Sequence, residues 1–510
     1  MKITIPLLGS AGVVKDIQPH ELPLSALSDA TNVRFRDGAA ERITGDKQIF
    51  ATAANIPYQV MLYRTATTLF LVHAHLAAVF VDSSSARTDI TGTAPTGGAG
   101  DHWTGGVFVG TLIMNNGKDK PMFWAGDTAN NLATLTNWDA NHTCKVLRPW
   151  KNYLVALDIT KTSTRYKHMV KWSAAADPGT LPAWDETDAA TDAGEIDLAE
   201  TTDNMVDALP LGDSLVIYKT ASCYSMTYIG GQYVFQFRRL PGEWGMLAPN
   251  CGCIVPAGHV VLTAGDVVLN TGAGMQSILS NRMRKWLFDA MDTTYYDRSF
   301  VVSNPSKNEV WICFPTVGAS VCTQALIWNW SENTFALRDL DSVTAITSGQ
   351  FEYAVSDPWS TDAAAWDADT TIWDTSDIPL AQSSLIMGTT DKYLLVADDS
   401  VTQFHAEDYT SRIERKGLAF DEPDQVKLLR GITPRIDGTA GQTVYIQGGG
   451  AMDAEGNYTW SEPVPYVVGT TRKADLFATG RFLAYRIYST TGMGWRVRSI
   501  DLDVQPMGGY

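Results

Sequence analysis

The apolar and polar positions of this chain recur with the period of β-strands. Short apolar runs, alternating or continuous, are separated by Gly, Pro, Asn-Gly and Asp-Gly, a pattern typical of strands joined by tight turns. Helical periodicity is scarce, and residues 25–30 form the best helix candidate. Asn116-Gly117 predicts a hairpin turn between strands at 107–115 and 121–124, with φ > 0 at both central residues. We therefore predict an all-β fold.

From about residue 51 the strands form clusters spaced about 50 residues apart, which is the spacing of propeller blades. The clusters cover residues 60–82, 107–124, 153–172, 214–238, 252–270, 299–329 and 344–397. They predict a β-propeller of about seven blades, within a range of about six to eight.

Three domains follow from these patterns. Residues 1–50 form an N-terminal arm and a hairpin, which pack on the β domain formed by the C-terminal tail of the chain. Residues 51–410 form the propeller. Residues 411–510 contain further strands and more Lys and Arg, and they predict a C-terminal β-sandwich-like domain. Within it, the run Gly448-Gly449-Gly450 is interpreted as a flexible turn, because the strand–loop–helix context of a phosphate site is missing.

Two acidic inserts interrupt the strand pattern. Residues 177–213 contain 11 Asp and Glu and no Lys or Arg. Because Pro178 and Pro182 oppose a helix, we expect an exposed excursion anchored by Trp172 and Trp184. Residues 339–391 contain 10 acids and no base, with a Trp every seven residues at 359, 366 and 373. Residues 367–371 are similar to a calcium loop but lack its Gly and its final Glu, so calcium is a secondary hypothesis.

The balance of 39 Lys and Arg against 56 Asp and Glu gives a formal net charge of −17. Affinity for DNA comes from cationic side chains that displace counterions, so a sequence-reading DNA-binding protein is disfavoured. A surface that must not adhere to DNA is compatible with this charge. The acidic side chains of the two inserts that we take as candidate site residues are Asp185, Glu186, Asp188, Asp192, Glu195, Asp367, Asp369 and Asp374.

No motif predicts an enzyme, a cofactor or a metal. Nucleophile-elbow, His-Glu-x-x-His and Walker motifs are missing. Cys251-Gly252-Cys253 has the spacing of half a zinc site, and His73 with His75 share a strand face, but neither pair has further ligands at suitable spacing. The six sparse cysteines fit buried thiols of a protein made in a reducing cytoplasm better than a disulfide scaffold.

Two strands combine Arg with aromatic residues, Arg34-Phe35-Arg36 and Gln236-Phe237-Arg238-Arg239. Three interpretations stay open: stacking on nucleic acid, alternating strand faces with exposed Arg, and pairing with acidic loops of a neighbouring subunit. No apolar run approaches the ~18 residues of a membrane helix. Pro6 and Gly9 interrupt the N-terminal apolar run, so an export signal is not expected.

Three segments resemble one protein family. Residues 27–38 read Leu-Ser-Asp-Ala-Thr-Asn-Val-Arg-Phe-Arg-Asp-Gly and are followed by Glu-Arg-Ile-Thr-Gly at 41–45. This stretch resembles the start of many phage tail structural proteins, residues 172–219 resemble their middle, and residues 495–504 resemble their closing strand. The family is the tail hub or nozzle (head–tail stabilisation) proteins of short-tailed bacteriophages, the podoviruses.

The resemblance implies a structural virion protein that is not an enzyme. Its β-propeller subunits would form a homohexameric ring that extends the portal–adaptor DNA channel, seals the packaged genome and allows its ejection. Needle, spike or fibre proteins would attach to the ring, and assembly would take place in the host cytoplasm. Arg34, Arg36, Arg496 and Arg498 are the candidate contacts to a neighbouring subunit or the adaptor. DNA would pass through without sequence-specific binding, and the candidate acidic residues of the two inserts would face the lumen of the ring or a subunit interface.

Two other functions remain compatible with the sequence. A propeller enzyme acting on sugars would place a carboxylate pair at its central channel. A carbohydrate-binding module would bind glycans without cleaving them. A defined separation between two carboxylates would favour the first, and glycan binding by the soluble monomer would favour the second.

Overall fold

The computed structural model describes residues 2–83, 86–231, 233–351, 383–399, 401–405, 407–420, 422–490 and 494–509. Strands dominate these ranges, which contain one α-helix, Arg284–Ala290, and three 3-10 helices at Pro19–Glu21, Tyr296–Arg298 and Pro305–Lys307. The predicted helix at residues 25–30 is wrong. Its last residues begin the strand Asp29–Thr31, which pairs with Ser411–Leu418, so pairing with a distant strand decided the local structure.

The chain divides into two compact units. The larger unit contains Met1–Lys47, Asp203–Val343 and Ala397–Tyr510, and the smaller unit contains Gln48–Thr202 and Thr344–Val396. The strands that contain a boundary between these ranges are Lys47–Gln48, Thr334–Gly349 and Leu394–Ala397. Each unit is thus assembled from segments that are far apart in sequence.

The smaller unit is built of three four-stranded antiparallel sheets, blades 1 to 3, in which sequential strands are neighbours. Blade 1 contains Gln59–Arg64, Leu69–Ala74, Val79–Asp82 and Arg87–Asp89; blade 2 contains Thr104–Phe108, Thr111–Asn115, Met122–Trp124 and Ala133–Thr134; blade 3 contains His142–Trp150, Tyr153–Lys161, Thr164–Trp172 and Gly194–Asp197. Aromatic side chains such as Tyr63, Phe70 and Trp124 fill the core shared by blades 1 and 2.

The larger unit contains two more four-stranded sheets, blades 4 and 5, and the first strands of a seven-stranded sheet, which we call blade 6. Blade 4 contains Met205–Leu211, Ser214–Lys219, Cys223–Tyr228 and Phe235–Arg239; blade 5 contains Gly252–Val255, Gly258–Leu262, Val267–Asn270 and Met275–Ser277; blade 6 contains Phe300–Asn304, Glu309–Phe314, Cys322–Asn329 and the long strand Thr334–Gly349. Continuous apolar strands such as Val267–Asn270 are buried throughout, as expected for strands covered on both faces.

Two six-stranded sheets complete the larger unit and form the sandwich. One runs Val33–Arg36, Ala39–Arg42, Trp495–Gly509, Gln425–Gly438 and Ala474–Gly480, with Lys2–Ile5 also paired to Trp495–Gly509. The other runs Asp29–Thr31, Ser411–Leu418, Phe482–Ser489, Thr443–Ala451 and Thr459–Trp460, with Val464–Val467 also paired to Thr443–Ala451. Strand Ala474–Gly480 alternates buried and exposed residues, so one of its faces lies in the sandwich core.

The predicted fold class is confirmed: the chain is all-β, with the small meander sheets of a β-propeller and a C-terminal sandwich. The residues of the predicted seventh cluster lie in the end of Thr334–Gly349 and in the strands Ser384–Thr389 and Leu394–Ala397. In the smaller unit, Ala345, Ile386 and Leu394 share a core with Leu71 of blade 1.

The hairpin at Asn116-Gly117 exists, but its predicted turn type is wrong. Strands Thr111–Asn115 and Met122–Trp124 pair antiparallel, with Met114 opposite Met122. The loop between them is longer than two residues, and of the central pair only Gly117 has a positive φ, +70°. The side-chain oxygen of Asn116 accepts hydrogen bonds from the backbone N–H of Lys118 and Asp119, which holds the longer loop.

The predicted flexible turn at Gly448-Gly449-Gly450 is also wrong, because all three glycines lie within the strand Thr443–Ala451. A Cβ on Gly448 would lie 2.4 Å from Cδ1 of Leu476, and one on Gly450 would lie 2.3 Å from the carbonyl oxygen of Thr479. The glycines therefore allow the two sheets of the sandwich to approach closely.

Candidate functional site

The first acidic insert leaves blade 3 and returns to it. After the strand Thr164–Trp172 the chain is irregular until Gly194–Asp197, which pairs with the same strand as the fourth strand of the blade. Residues 185–190 are exposed. Residues 177–180 and 185–190 are thus exposed and irregular, as predicted, whereas the rest of residues 177–213 contains the strands Gly194–Asp197 and Met205–Leu211.

Both tryptophans anchor the insert, as predicted. Trp184 is buried in the core of blade 3, where its ring packs edge-on against the ring of Trp138, with 4.6 Å between the ring centres. The indole N–H of Trp172 donates to the backbone oxygen of Asp192 at 2.8 Å. A large aromatic ring contributes much apolar contact area at each point, so the polar insert is held without regular structure of its own.

Two lysines from the blade partly neutralise the insert. Nζ of Lys161 lies 2.6 Å from Oε1 of Glu195, and the buried ammonium of Lys171 contacts Glu186 and lies 3.6 Å from Oε2 of Glu195. Burial raises the pKa of Glu186, but the hydrogen bond and charge of Lys171 outweigh it and the net shift is downward. Sequence reasoning missed both lysines because they precede the insert and only strand pairing brings them to it.

The other predicted acids of this insert face outward. Asp185 and Asp188 are exposed, and each accepts a 2.9 Å hydrogen bond from a backbone N–H two residues later, at Thr187 and Ala190. Asp192 accepts a 3.2 Å hydrogen bond from the hydroxyl of Tyr153. The predicted sites Asp367, Asp369 and Asp374, and with them most of the second insert, lie outside the described residues.

Arg34, predicted to contact a neighbouring subunit or the adaptor, is buried in the larger unit. Its Nε and Nη2 donate to Glu309 at 2.7 and 3.1 Å, and Nη2 lies 2.5 Å from Oδ2 of Asp398. Arg338 donates to the other oxygen of Asp398 at 2.9 Å and also binds Asp46. These five side chains, named here the buried ion cluster, hold Arg34 inside the chain and away from its surface.

A column of aromatic rings surrounds Arg338 of this cluster. The guanidinium carbon of Arg338 lies 4.7 Å from the ring centres of both Trp311 and Phe404. The rings of Phe404 and Tyr409 stack with their centres 3.8 Å apart, and the guanidinium carbon of Arg42 lies 4.1 Å from the ring centre of Tyr409. Cations over aromatic rings are attracted by the ring quadrupole, so the column supports two guanidinium groups that lie out of water.

The pKa values of Asp46 and Asp398 in the ion cluster are shifted in opposite directions. Burial raises the pKa of Asp46 to about 6, and the charge of Arg338 opposes only part of that shift. Burial also raises the pKa of Asp398, but Arg34 and Arg338 together outweigh it and the net shift is downward. The cluster is closed on itself by these pairings and is therefore best explained as a structural element.

The remaining predicted arginines lie at the surface of the sandwich. Arg36 and Arg498 are exposed, and Nε of Arg498 lies 3.1 Å from Asp437. Arg496 is less exposed and donates to the backbone oxygen of Arg36 and to Asp37, both at 2.9 Å. Arg496 thereby fastens the hairpin of strands Val33–Arg36 and Ala39–Arg42 to the closing strand.

His73 and His75 are brought together, as their shared strand face predicted, but inside blade 1. Nδ1 of His75 lies 2.9 Å from the carbonyl oxygen of Ile56, so it carries the proton and donates. A neutral His75 then accepts through Nε2, at 2.7 Å, from Nδ1 of His73. Nε2 of His73 lies 3.2 Å from Asp82, whose carboxylate also binds Arg87 at 2.7 and 2.8 Å. Both imidazoles are occupied by protein partners.

The buried histidine predicts a loss of stability in acid. Burial, followed by the charge of His73, lowers the pKa of His75 from 6.5 to about 4. Below pH 6.5 the unfolded chain takes up the proton while the folded chain does not, so stability falls as the pH drops towards about 4. We expect His75→Asn, whose amide can still donate to Ile56, to remove about 3 kcal/mol of this pH dependence.

The measurement is the free energy of unfolding in urea as a function of pH for both proteins. The control is His20→Asn, measured in the same way, because His20 is an exposed histidine. Parallel pH profiles for the wild type and His75→Asn would contradict the assignment.

The cysteines are buried thiols, as favoured from the sequence. Burial raises the pKa of Cys251 and Cys253 well above the ordinary thiol value, and Sγ of Cys251 donates to the backbone oxygen of Ser299 at 3.0 Å. Among the described residues no group of three or more His, Cys, Asp or Glu is arranged to hold a metal ion. No helix in the described ranges has the length and hydropathy of a membrane span.

No protein-family model matches the chain, and no curated protein matches it. Two solved structures are similar in fold. The WD40 β-propeller domain of Doa1 is 10% identical, with 69% of this chain and 97% of that chain covered and a TM-score of 0.34. The β-propeller domain of Cps50 (Swd1) from Myceliophteria thermophila is 9% identical, with 70% and 99% covered and a TM-score of 0.39.

Proposed function

We propose that this chain is a structural subunit of the tail hub, or nozzle, of a short-tailed bacteriophage. In this role it forms a homohexameric ring that continues the channel of the portal and adaptor. The ring seals the packaged genome, allows its ejection and carries needle, spike or fibre proteins. The protein acts in the virion tail after assembly in the host cytoplasm.

The observation that carries the proposal is the pairing of the first and last segments that resemble this family. Ala40 and Glu41, in the N-terminal segment, pair with Val497 and Arg496 of the closing strand. The closing strand also pairs with Lys2–Ile5. Segments at opposite ends of the sequence thus form one sheet, which supports their common origin as a single structural module.

The charge distribution supports the same proposal. A channel for DNA must not retain the polymer, and carboxylates on its wall repel phosphates, while Lys and Arg would bind them and release counterions. Asp185 and Asp188 are exposed on an insert without any basic residue. In the proposed ring this insert faces the lumen or a neighbouring subunit, and the exposed Arg36 and Arg498 contact a neighbouring subunit or the adaptor.

The test is assembly on heads that carry the adaptor but lack this protein. We expect the purified chain to bind these heads as a six-fold ring, visible by electron microscopy, and to reduce DNA loss from them. The solution mass, from light scattering, establishes whether the ring forms beforehand. A chain that stays monomeric and ignores the heads would overturn the proposal, and glycan binding and cleavage would then be assayed.

A further inference from the structure

Blade 4 exposes an apolar hairpin at its outer edge. The strands Cys223–Tyr228 and Phe235–Arg239 pair antiparallel, and the second is the last strand of the sheet. Three side chains at the tip are open to solvent: Tyr228 is 48% exposed, Ile229 52% and Tyr233 73%. Large apolar residues grouped on one projecting turn mark an interaction surface more often than scattered ones do.

The hairpin is also basic, although the chain is acidic. Residues 223–239 contain no Asp or Glu and end on Arg238 and Arg239, both exposed. Tyr and Arg are the residues that most often contribute large binding energies at protein interfaces. An apolar centre with an Arg rim is the usual composition of such an interface. The hairpin therefore fits a protein partner that presents carboxylates.

A second copy of this chain presents that chemistry. Its acidic insert exposes Asp185, Asp188 and Asp192 to solvent. Its strand Gly194–Asp197 is the last strand of blade 3, and there Ile196 and Asp197 are exposed, followed by exposed Glu200. An apolar side chain with flanking carboxylates complements an apolar hairpin with flanking guanidinium groups.

We propose that the hairpin of strands Cys223–Tyr228 and Phe235–Arg239 docks on the exposed part of the acidic insert, residues 185–200, of a second copy of this chain. The contact joins two different surfaces, so each copy uses both and the assembly grows head to tail until it closes. Such a contact is what a ring requires, and the inference therefore rests on the proposed function. Tyr233 and Ile229 supply the apolar centre, while Arg238 and Arg239 select the acidic partner.

Charge reversal on either surface tests the contact. The variant Arg238→Glu/Arg239→Glu should weaken self-association, in solution and on heads, on the order of tenfold or more, because like charges face each other across the interface. The variant Asp197→Lys/Glu200→Lys should fail in the same way. Mixed together, the two variants should assemble again, since each then meets an opposite charge on the other. Mass is measured by light scattering, and rings are counted by electron microscopy.

Arg64→Glu is the matched control, because Arg64 is an exposed strand arginine of blade 1; it should assemble like the wild type. Normal assembly of the Arg238→Glu/Arg239→Glu variant would overturn the inference and leave the hub proposal standing. So would failure of the mixture to assemble. If this variant instead loses only binding to single-stranded DNA, the hairpin binds nucleic acid and the inference is wrong. A wild-type chain that neither self-associates nor binds heads would overturn both proposals.

Discussion

Replacing Arg338 by methionine is expected to lower the free energy of unfolding by about 3–5 kcal/mol, the usual cost of removing one partner from a buried ion pair. Arg338 is fully buried, and its guanidinium contacts both Asp46 and Asp398. Methionine fills similar space between Trp311 and Phe404 but leaves two buried carboxylates with less compensating charge. The measurement is equilibrium unfolding in urea, followed by Trp fluorescence.

The control for this prediction is an exposed ion pair in the same unit. Arg498 lies 3.1 Å from Asp437, and both side chains are more than 60% exposed, at 61% and 68%. Arg498→Met should therefore change the free energy of unfolding by about 1 kcal/mol or less. A loss below about 1 kcal/mol for Arg338→Met would mean that the carboxyl groups of the cluster are protonated at neutral pH and need no counter-charge.

The second large effect is expected at the sandwich glycines. Gly450→Ala should lower the free energy of unfolding by about 3 kcal/mol or more, because overpacking against backbone cannot relax as it does against a side chain. The new Cβ would lie 2.3 Å from the carbonyl oxygen and 2.6 Å from the carbonyl carbon of Thr479 in the facing sheet. Either the strand Thr443–Ala451 or the strand Ala474–Gly480 must move.

Gly494→Ala provides the comparison, since a Cβ there meets no atom within 4 Å. It should leave stability unchanged or raise it slightly, because alanine restricts the unfolded chain. Thermal unfolding of both variants, with the heat capacity signal of each transition, checks the difference. Equal melting temperatures for the two variants would contradict the close approach of the two sheets at Gly450.

The strand pattern was sufficient to predict the class of fold. Continuous apolar runs such as those within residues 214–219 and 267–270 became strands of blades 4 and 5, because β-branched residues suit pleated, covered surfaces. Trp172 and Trp184 were correctly predicted as anchors, since large rings in a polar stretch have a strong drive to be buried.

Local signals failed where distant strands decided the conformation. Residues 25–30 carried a weak helical signal, yet Asp29–Thr31 pairs with a strand almost four hundred positions away, Asp29 with Glu414. A run of three glycines suggested a loop, whereas close approach of two sheets requires the missing Cβ atoms. Neither the strand pairing nor the close approach of the sheets could be predicted from the residues that neighbour these segments in the sequence.

For the candidate site, the sequence showed where acids concentrate and the tertiary structure showed which of them are neutralised. Glu186 and Glu195 meet Lys161 and Lys171, while Asp185 and Asp188 face water. Exposed and buried arginines look alike in a sequence: Arg34 and Arg36 stand two positions apart on one strand, and one is buried against Glu309 while the other is exposed.

The sequence by itself determined the all-β class, the acidic surface and the anchoring of the first insert, because hydrophobic periodicity, net charge and aromatic burial are local or additive properties. Only the tertiary structure decided the buried ion cluster, the histidine pair with Asp82 and the glycine contact of the sandwich. Each of these depends on groups that are distant in the sequence or that lie on paired strands. Their interactions are strong because water is excluded where the groups meet, which lowers the local dielectric constant.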